Sequence, residues 1–191
     1  MRVIAGKLKG RNLFTVPNKA TRPTSDKIKE AVFHVMGPYF NGGEALDLFA
    51  GSGALGIEAI SRGIERVTFI DRHRTAVQTI RKNLRNLQIE SHASVYQNDA
   101  IRALEILHKR RKLFDLVLID PPYDKKVYTK VLENIKKWKL VTSGGYLYIE
   151  HAPTSPFIYD KVYYEEIFRR NYSKEIAVTI LKVAEGEIEE E

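Results

Sequence analysis

The chain has 191 residues, 43% hydrophobic and 29% charged, with a formal net charge of +7 and no cysteine. At about 100–200 residues per domain this is one domain with room for a full hydrophobic core, neither disordered nor collagenous. The missing thiols exclude a disulfide framework, a Cys-based zinc site, an iron–sulfur cluster and a cysteine nucleophile. The apolar runs are strand-sized and the start lacks the apolar stretch of a signal peptide, so a soluble cytoplasmic protein with no membrane partner is expected.

Charge is uneven along the chain. Residues 1–30 carry eight Lys or Arg against Asp26 and Glu30, whereas residues 185–191 carry five Glu and no base. A concentrated basic arm suits a polyanionic partner, although a solvated Lys-rich face reads the same way. The glutamate-rich end is expected to be a frayed, disordered tail.

The first 16 residues alternate around Gly6 and Gly10, which predicts a small β-hairpin with strands at 2–5 and 11–16. Thr24 or Ser25 can cap a helix whose apolar face is Ile28, Val32 and Val35, and Gly37-Pro38 ends it. The expected organisation is a basic N-terminal unit at 1–40, a body at 41–184 and the tail at 185–191. From residue 45 onward strands alternate with helices. Strands are expected at 45–49, 66–70, 94–97, 116–119 and 146–149, and helices near 54–62, 73–86, 100–110 and 126–137. That alternation argues for a parallel sheet covered on both faces. Two last strand-like runs, 162–168 and 175–183, read as a hairpin that closes the sheet with an antiparallel pair.

Leu46-Asp47-Leu48-Phe49-Ala50 runs into Gly51-Ser52-Gly53-Ala54-Leu55-Gly56: a strand, a glycine turn and a helix start. The glycines fit G-x-G-x-x-G and Asp71 ends the next strand, which alone suggests a dinucleotide. Asp47 argues against that. A pyrophosphate needs the bare positive end of a helix, and a carboxylate near the carboxyl end of the same strand adds negative charge close by. A ligand with an ammonium or sulfonium group is favoured instead, and S-adenosylmethionine carries both and no phosphate. Asp71 is expected to accept from ribose hydroxyls, and Asp99, in Asn98-Asp99-Ala100, to reach an adenine amino group. Each Asp alone reads equally well as a helix cap or a solvated loop residue. The candidate cofactor set is Asp47, Phe49, Ala50, Gly51, Ser52, Gly53, Gly56, Asp71, Arg72, Asn98, Asp99, Ala100 and Asp120.

The run Phe114-Asp115-Leu116-Val117-Leu118-Ile119 delivers Asp120-Pro121-Pro122-Tyr123 to the same crevice. Two prolines remove two backbone donors, leaving the Asp120 carboxylate and the Pro121 carbonyl as acceptors beside an aromatic ring. That suits a substrate with N–H groups and a π-face, such as the exocyclic amine of a nucleobase. Two acceptors that hold both N–H bonds out of the base plane would localise the nitrogen lone pair. Tyr123 would stack on the base once it is turned out. Asp120, Pro121, Pro122 and Tyr123 are the candidate catalytic residues. His34, His73, His92 and His108 are scattered and lack ligand spacing, so no metal is expected; His151, after Glu150, is a candidate substrate contact.

Asp120-Pro121-Pro122-Tyr123 resembles the [DN]-P-P-[YF] signature of methyltransferases that act on exocyclic amines or amides, and residues 46–56 resemble their first cofactor motif. More narrowly, residues 2–11, 22–30 and 47–59 and Glu150-His151 resemble the RsmD family of bacterial 16S ribosomal RNA guanine-N2 methyltransferases, over nearly the whole chain to about Val183. The resemblance implies an α/β, seven-stranded, Rossmann-like S-adenosylmethionine-dependent methyltransferase fold with strand order 3-2-1-4-5-7-6, preceded by an N-terminal hairpin and helix. It implies guanine N2 as acceptor, and ribosomal RNA or an assembling small subunit as partner. Lys7, Lys9, Arg11, Arg22, Thr24, Glu150 and His151 are the candidate RNA contacts. Rival readings are an adenine-N6 nucleic-acid methyltransferase, a protein-glutamine methyltransferase, a nicotinamide oxidoreductase and a non-catalytic RNA-binding module on the same fold.

Overall fold

The computed structural model describes residues 1–17, 25–121, 125–155 and 157–185. Its centre is a sheet of β1 (Glu44–Asp47), β2 (Arg66–Asp71), β3 (Ala93–Gln97), β4 (Phe114–Ile119), β5 (Val141–His151), β6 (Tyr164–Asn171) and β7 (Ala177–Val183). The order is β3-β2-β1-β4-β5-β7-β6. The first five strands run parallel, and β7 lies antiparallel between β5 and β6. This is the expected topology. The helices are α1 (Asp26–Met36), α2 (Ala54–Ser61), α3 (Arg74–Leu87), α4 (Ala100–Lys109) and α5 (Lys125–Lys137). Among the described residues no helix is long and apolar enough to cross a membrane.

Central parallel strands are covered on both faces, so they are apolar without alternation. Leu116, Val117, Leu118 and Ile119 are all at most 1% exposed. Successive side chains enter opposite cores. Leu116, Leu118, Tyr148 and Ile180 share one core with Val32, Phe33, Ile57 and Ile80 of α1–α3. Val117, Ile119, Leu147 and Leu181 share the other with Leu104, Val131, Leu132 and Ile135 of α4 and α5.

The N-terminal segment folds back as the expected hairpin but without the expected strands. Bonds from Val3 N to Arg11 O, Gly10 N to Val3 O and Leu13 N to Met1 O tie its two limbs together, but Arg2 and Asn12 form an isolated bridge and no strand develops. The reason lies on α2. Ile4 N and Ala5 N donate to Glu58 Oε2 and Oε1 at 2.8 and 3.0 Å, and Leu8 N donates to Ser61 Oγ at 2.9 Å. A buried carboxylate replaces a partner strand as the acceptor. At Gly6, with φ +81°, a Cβ would lie 1.8 Å from the Ser61 carbonyl oxygen, so this close approach needs glycine. Val3 and Leu13 share the core of α1 and α2, which packs the segment into the body.

The first helix is also rotated from expectation. Ser25 caps it, its Oγ accepting from Ile28 N at 3.3 Å, while Thr24 lies outside the described residues. The buried stripe is Ile28, Lys29, Val32, Phe33 and Met36, and Val35 is half-buried. Lys29 is fully buried and donates to Arg2 O at 2.7 Å. Burial lowers its pKa, against the pull of the Glu58 and Asp26 charges.

Candidate active site at the carboxyl edge of the sheet

Strand register gathers the candidate residues. Asp47 pairs with Phe69 and Leu118, Asp71 with Gln97, and Ile119 with Ile149, so the chain leaves β1 to β5 at nearly one level. Along that edge stand Phe49 and the glycine loop, Asp71, Asn98, Asp99, Asp120 and Pro121. The order reverses between β1 and β4, and such a switch point opens the crevice in which α/β sheets bind ligands.

The loop is held from several sides. Ala50 N donates to Ile70 O at 2.9 Å, and Gly53 N closes a tight turn onto Ala50 O at 2.7 Å. Asp71 accepts from Gly51 N on Oδ2 at 2.9 Å and from His73 N on Oδ1 at 2.8 Å. A Cβ added to Gly51 would meet nothing within 4 Å, so the loop is open to the crevice there. At Gly56 a Cβ would lie 2.3 Å from Phe69 Cε1; glycine lets α2 pack directly on β2. Phe49 and Ser52 are half-buried, Ala50 and Ala100 are buried, and Arg72 is exposed beside His73, to which its Nε donates at 3.1 Å.

This geometry specifies two expectations and corrects a third. Asp47 is 2% exposed and its Oδ2 accepts from Gly56 N at 3.0 Å. Burial pushes its pKa up to about 7, the Gly56 bond opposing and the Asp71 charge adding. Asp99 turns its Oδ1 to Ile101 N and Arg102 N at 3.0 and 3.2 Å, capping α4. Glu150 and His151, expected at the RNA, are each 2% exposed. Glu150 Oε2 accepts from Tyr148 OH at 2.7 Å, and His151 Nε2 pairs with Thr179 Oγ1 at 2.9 Å. The His151 ring packs edge-on to Phe157, and burial lowers its pKa. Both side chains are satisfied inside the protein.

Asp120 is half-buried and Pro121 buried at the end of β4. Pro122, Tyr123, Arg22 and Thr24 lie outside the described residues. Lys7, Lys9 and Arg11 are exposed, and Arg11 Nη2 donates to Asn86 O at 2.9 Å. Asn83 was not anticipated. Fully buried on α3, it accepts from Phe14 N at 2.7 Å and donates to Phe14 O and Ser52 O at 3.0 and 2.9 Å. Its signal in the sequence is a polar residue between Ile80 and Leu84 on the apolar side of an amphipathic helix.

The sheet order, its antiparallel β7 and the glycine loop at the β1–β4 switch point define the fold of S-adenosylmethionine-dependent methyltransferases. Comparison with known proteins agrees. The family model described as "Conserved hypothetical protein 95" matches residues 1–181. YlbH of Bacillus subtilis, provisionally named an rRNA methyltransferase, is 48% identical over 151 residues, 79% of this chain and 82% of YlbH. Ribosomal RNA small subunit methyltransferase D of Haemophilus influenzae is 32% identical over 160 residues, 83% of this chain and 82% of its own. The solved structure of yhhF from Escherichia coli, also provisionally named a methyltransferase, superposes with a TM-score of 0.81 at 25% identity, covering 97% of this chain and 99% of yhhF. SMU.776, solved with SAH, shares the fold at a TM-score of 0.68 and 13% identity, over 83% of this chain and 49% of its own. The chain belongs to the first-named family, which these relatives identify as the RsmD/YlbH family of methyltransferases.

Proposed function

We propose that this protein transfers a methyl group from S-adenosylmethionine to the exocyclic N2 amine of a guanine in small-subunit (16S) ribosomal RNA. The observation that carries the reading is the register of β1 and β4, which sets the open glycine loop beside the Asp120-Pro121 turn. The names of the relatives support the substrate class.

The residues present fit this methyl donor. Gly51 leaves room above the loop, and Asp71 stands at the neighbouring strand end where a ribose diol would donate to it. Asp47 lies beneath the same loop and would be drawn toward its ionised form by a cationic ligand. When bound, S-adenosylmethionine supplies a methyl carbon on a sulfonium leaving group. The chain's own part is to prepare the nucleophile. The Asp120 carboxylate and the Pro121 carbonyl accept the two N–H bonds of the guanine amine and draw its lone pair out of conjugation, and Asp120 takes up the released proton. Tyr123 stacks on the base after it leaves its own helix or loop. Lys7, Lys9, Arg11, Arg22 and Thr24 hold the RNA backbone, so residues 1–40 position the substrate and 41–184 carry the chemistry. The protein would act in the cytoplasm.

Small ribosomal subunits and extracted RNA, incubated with tritiated S-adenosylmethionine and digested to nucleosides, test this. Label in N2-methylguanosine is expected. Label in N6-methyladenosine or in protein would overturn the reading, as would NADH binding without S-adenosylmethionine binding.

A further inference from the structure

The outward face of α3 is a second basic surface, continuous with the arm. Residues 72–89 hold five Arg or Lys and no Asp or Glu. The helix buries Val77, Ile80, Leu84 and Leu87 and exposes Arg74, Gln78, Arg81, Lys82 and Arg85. Spacings of four, three and four place Arg74, Gln78, Arg81 and Arg85 on one stripe. None of these cations makes an ion pair among the described residues.

A charged helix face is often no more than a solvated one, and three contacts set this face apart. Arg11 of the arm donates to Asn86 O, which seats the arm on the last turn of the helix. Phe14 is 42% exposed although its backbone is clasped at both polar groups by Asn83. Its ring lies under Lys82 Nζ, 3.7 Å from the ring centroid. The opposite end of the helix begins at Arg74, three residues after Asp71 at the crevice edge. An exposed aromatic ring fixed among cations that have no acidic partner among the described residues is the combination by which single-stranded nucleic acids are held: stacking for a base, charge for the phosphates.

We propose that the arm and α3 form one track for single-stranded RNA, with phosphates on Arg74, Arg81 and Arg85 and a base on Phe14, leading toward the crevice. The inference rests on the RNA reading above and extends it to a helix outside the basic arm.

Binding of a fluorescein-labelled single-stranded RNA, followed by anisotropy across a salt series, tests the track. Three variants are compared with the parent: Arg74→Gln/Arg81→Gln/Arg85→Gln, the same three sites changed to Lys, and Phe14→Ala. The Gln variant should lose about 2 from the log–log salt slope, at roughly 0.7 per phosphate, and the Lys variant should keep the parental slope. Phe14→Ala should bind RNA roughly five- to a hundredfold more weakly with its slope unchanged. S-adenosylhomocysteine affinity should be parental throughout, since among the described residues none of these side chains makes a hydrogen bond to the glycine loop. A parental slope in the Gln variant together with parental affinity in Phe14→Ala would overturn the track. If the parent still methylates small-subunit RNA, the proposed function survives that result. A parent that neither binds nor methylates RNA would overturn both. Equal weakening of polyglutamate and RNA binding would overturn the track too, by marking a surface for any polyanion.

Discussion

Asn83 Nδ2 donates to the Ser52 carbonyl at 2.9 Å, a bond that ties α3 to the glycine loop. The same amide clasps Phe14 of the arm through its N–H and its carbonyl. One fully buried side chain thus joins the N-terminal segment to the loop that would hold the cofactor. Asn83→Ala leaves these backbone groups without their partner. At about 1–3 kcal/mol for each of the three groups freed, a loss of about 3 kcal/mol or more is expected in urea denaturation, with weaker S-adenosylhomocysteine binding. Asn83→Asp should be at least as harmful, because a carboxylate oxygen would face two carbonyls. Parental stability in both variants would contradict this.

Glu58 anchors the other side of the arm. Fully buried, it accepts from Ile4 N, Ala5 N and Arg62 Nε. Glu58→Ala strands the Arg62 guanidinium, itself 4% exposed, and two backbone donors. Removing one partner of a buried pair costs about 3–5 kcal/mol. The variant should unfold at lower urea and be cut faster by trypsin at Lys7, Lys9 and Arg11. Glu58→Gln, which keeps one acceptor oxygen, should fall between. Unchanged cleavage of the Ala variant would mean that the arm is held by something else.

Asp47 makes stability depend on pH. Its pKa rises from the ordinary 3.8 to about 7 on folding. Between those values the folded protein keeps a proton that the unfolded chain has lost, so this group's contribution falls as pH rises through that window. Asp47→Asn keeps an oxygen for Gly56 N and cannot ionise. It should be more stable than the parent near pH 8, by on the order of 1–4 kcal/mol, and the gap should close toward pH 4. Denaturation curves at the two ends of the range check this; a gap independent of pH would show that Asp47 does not titrate as described.

The parts of the fold readable in the sequence are those whose cause is local. The run at 116–119 is apolar throughout because β4 is buried on both faces, and α3 and α4 are amphipathic at helical period. β5 was harder. The expected strand covers only 146–149, yet a register shift between Phe114 and Leu116 carries the ladder on from Val141, so the strand spans Val141–His151. The arm reads as two strands because its alternation is real, but its acceptor, Glu58, lies more than fifty residues away in sequence. In the candidate site the acidic residues at strand ends were legible as a set. Their directions were not: Asp47 and Asp99 turn to the N–H groups of helix starts, and Glu150 and His151 find Tyr148 and Thr179 inside the protein.

Single-turnover methyl transfer by Asp120→Ala, measured beside its S-adenosylhomocysteine affinity, bears most directly on the claim that the β4 turn serves the acceptor amine. The carboxylate is assigned to the substrate side, so the rate should fall on the order of 10²–10⁴-fold while the affinity stays within about twofold of the parent. Transfer at the parental rate would contradict the account.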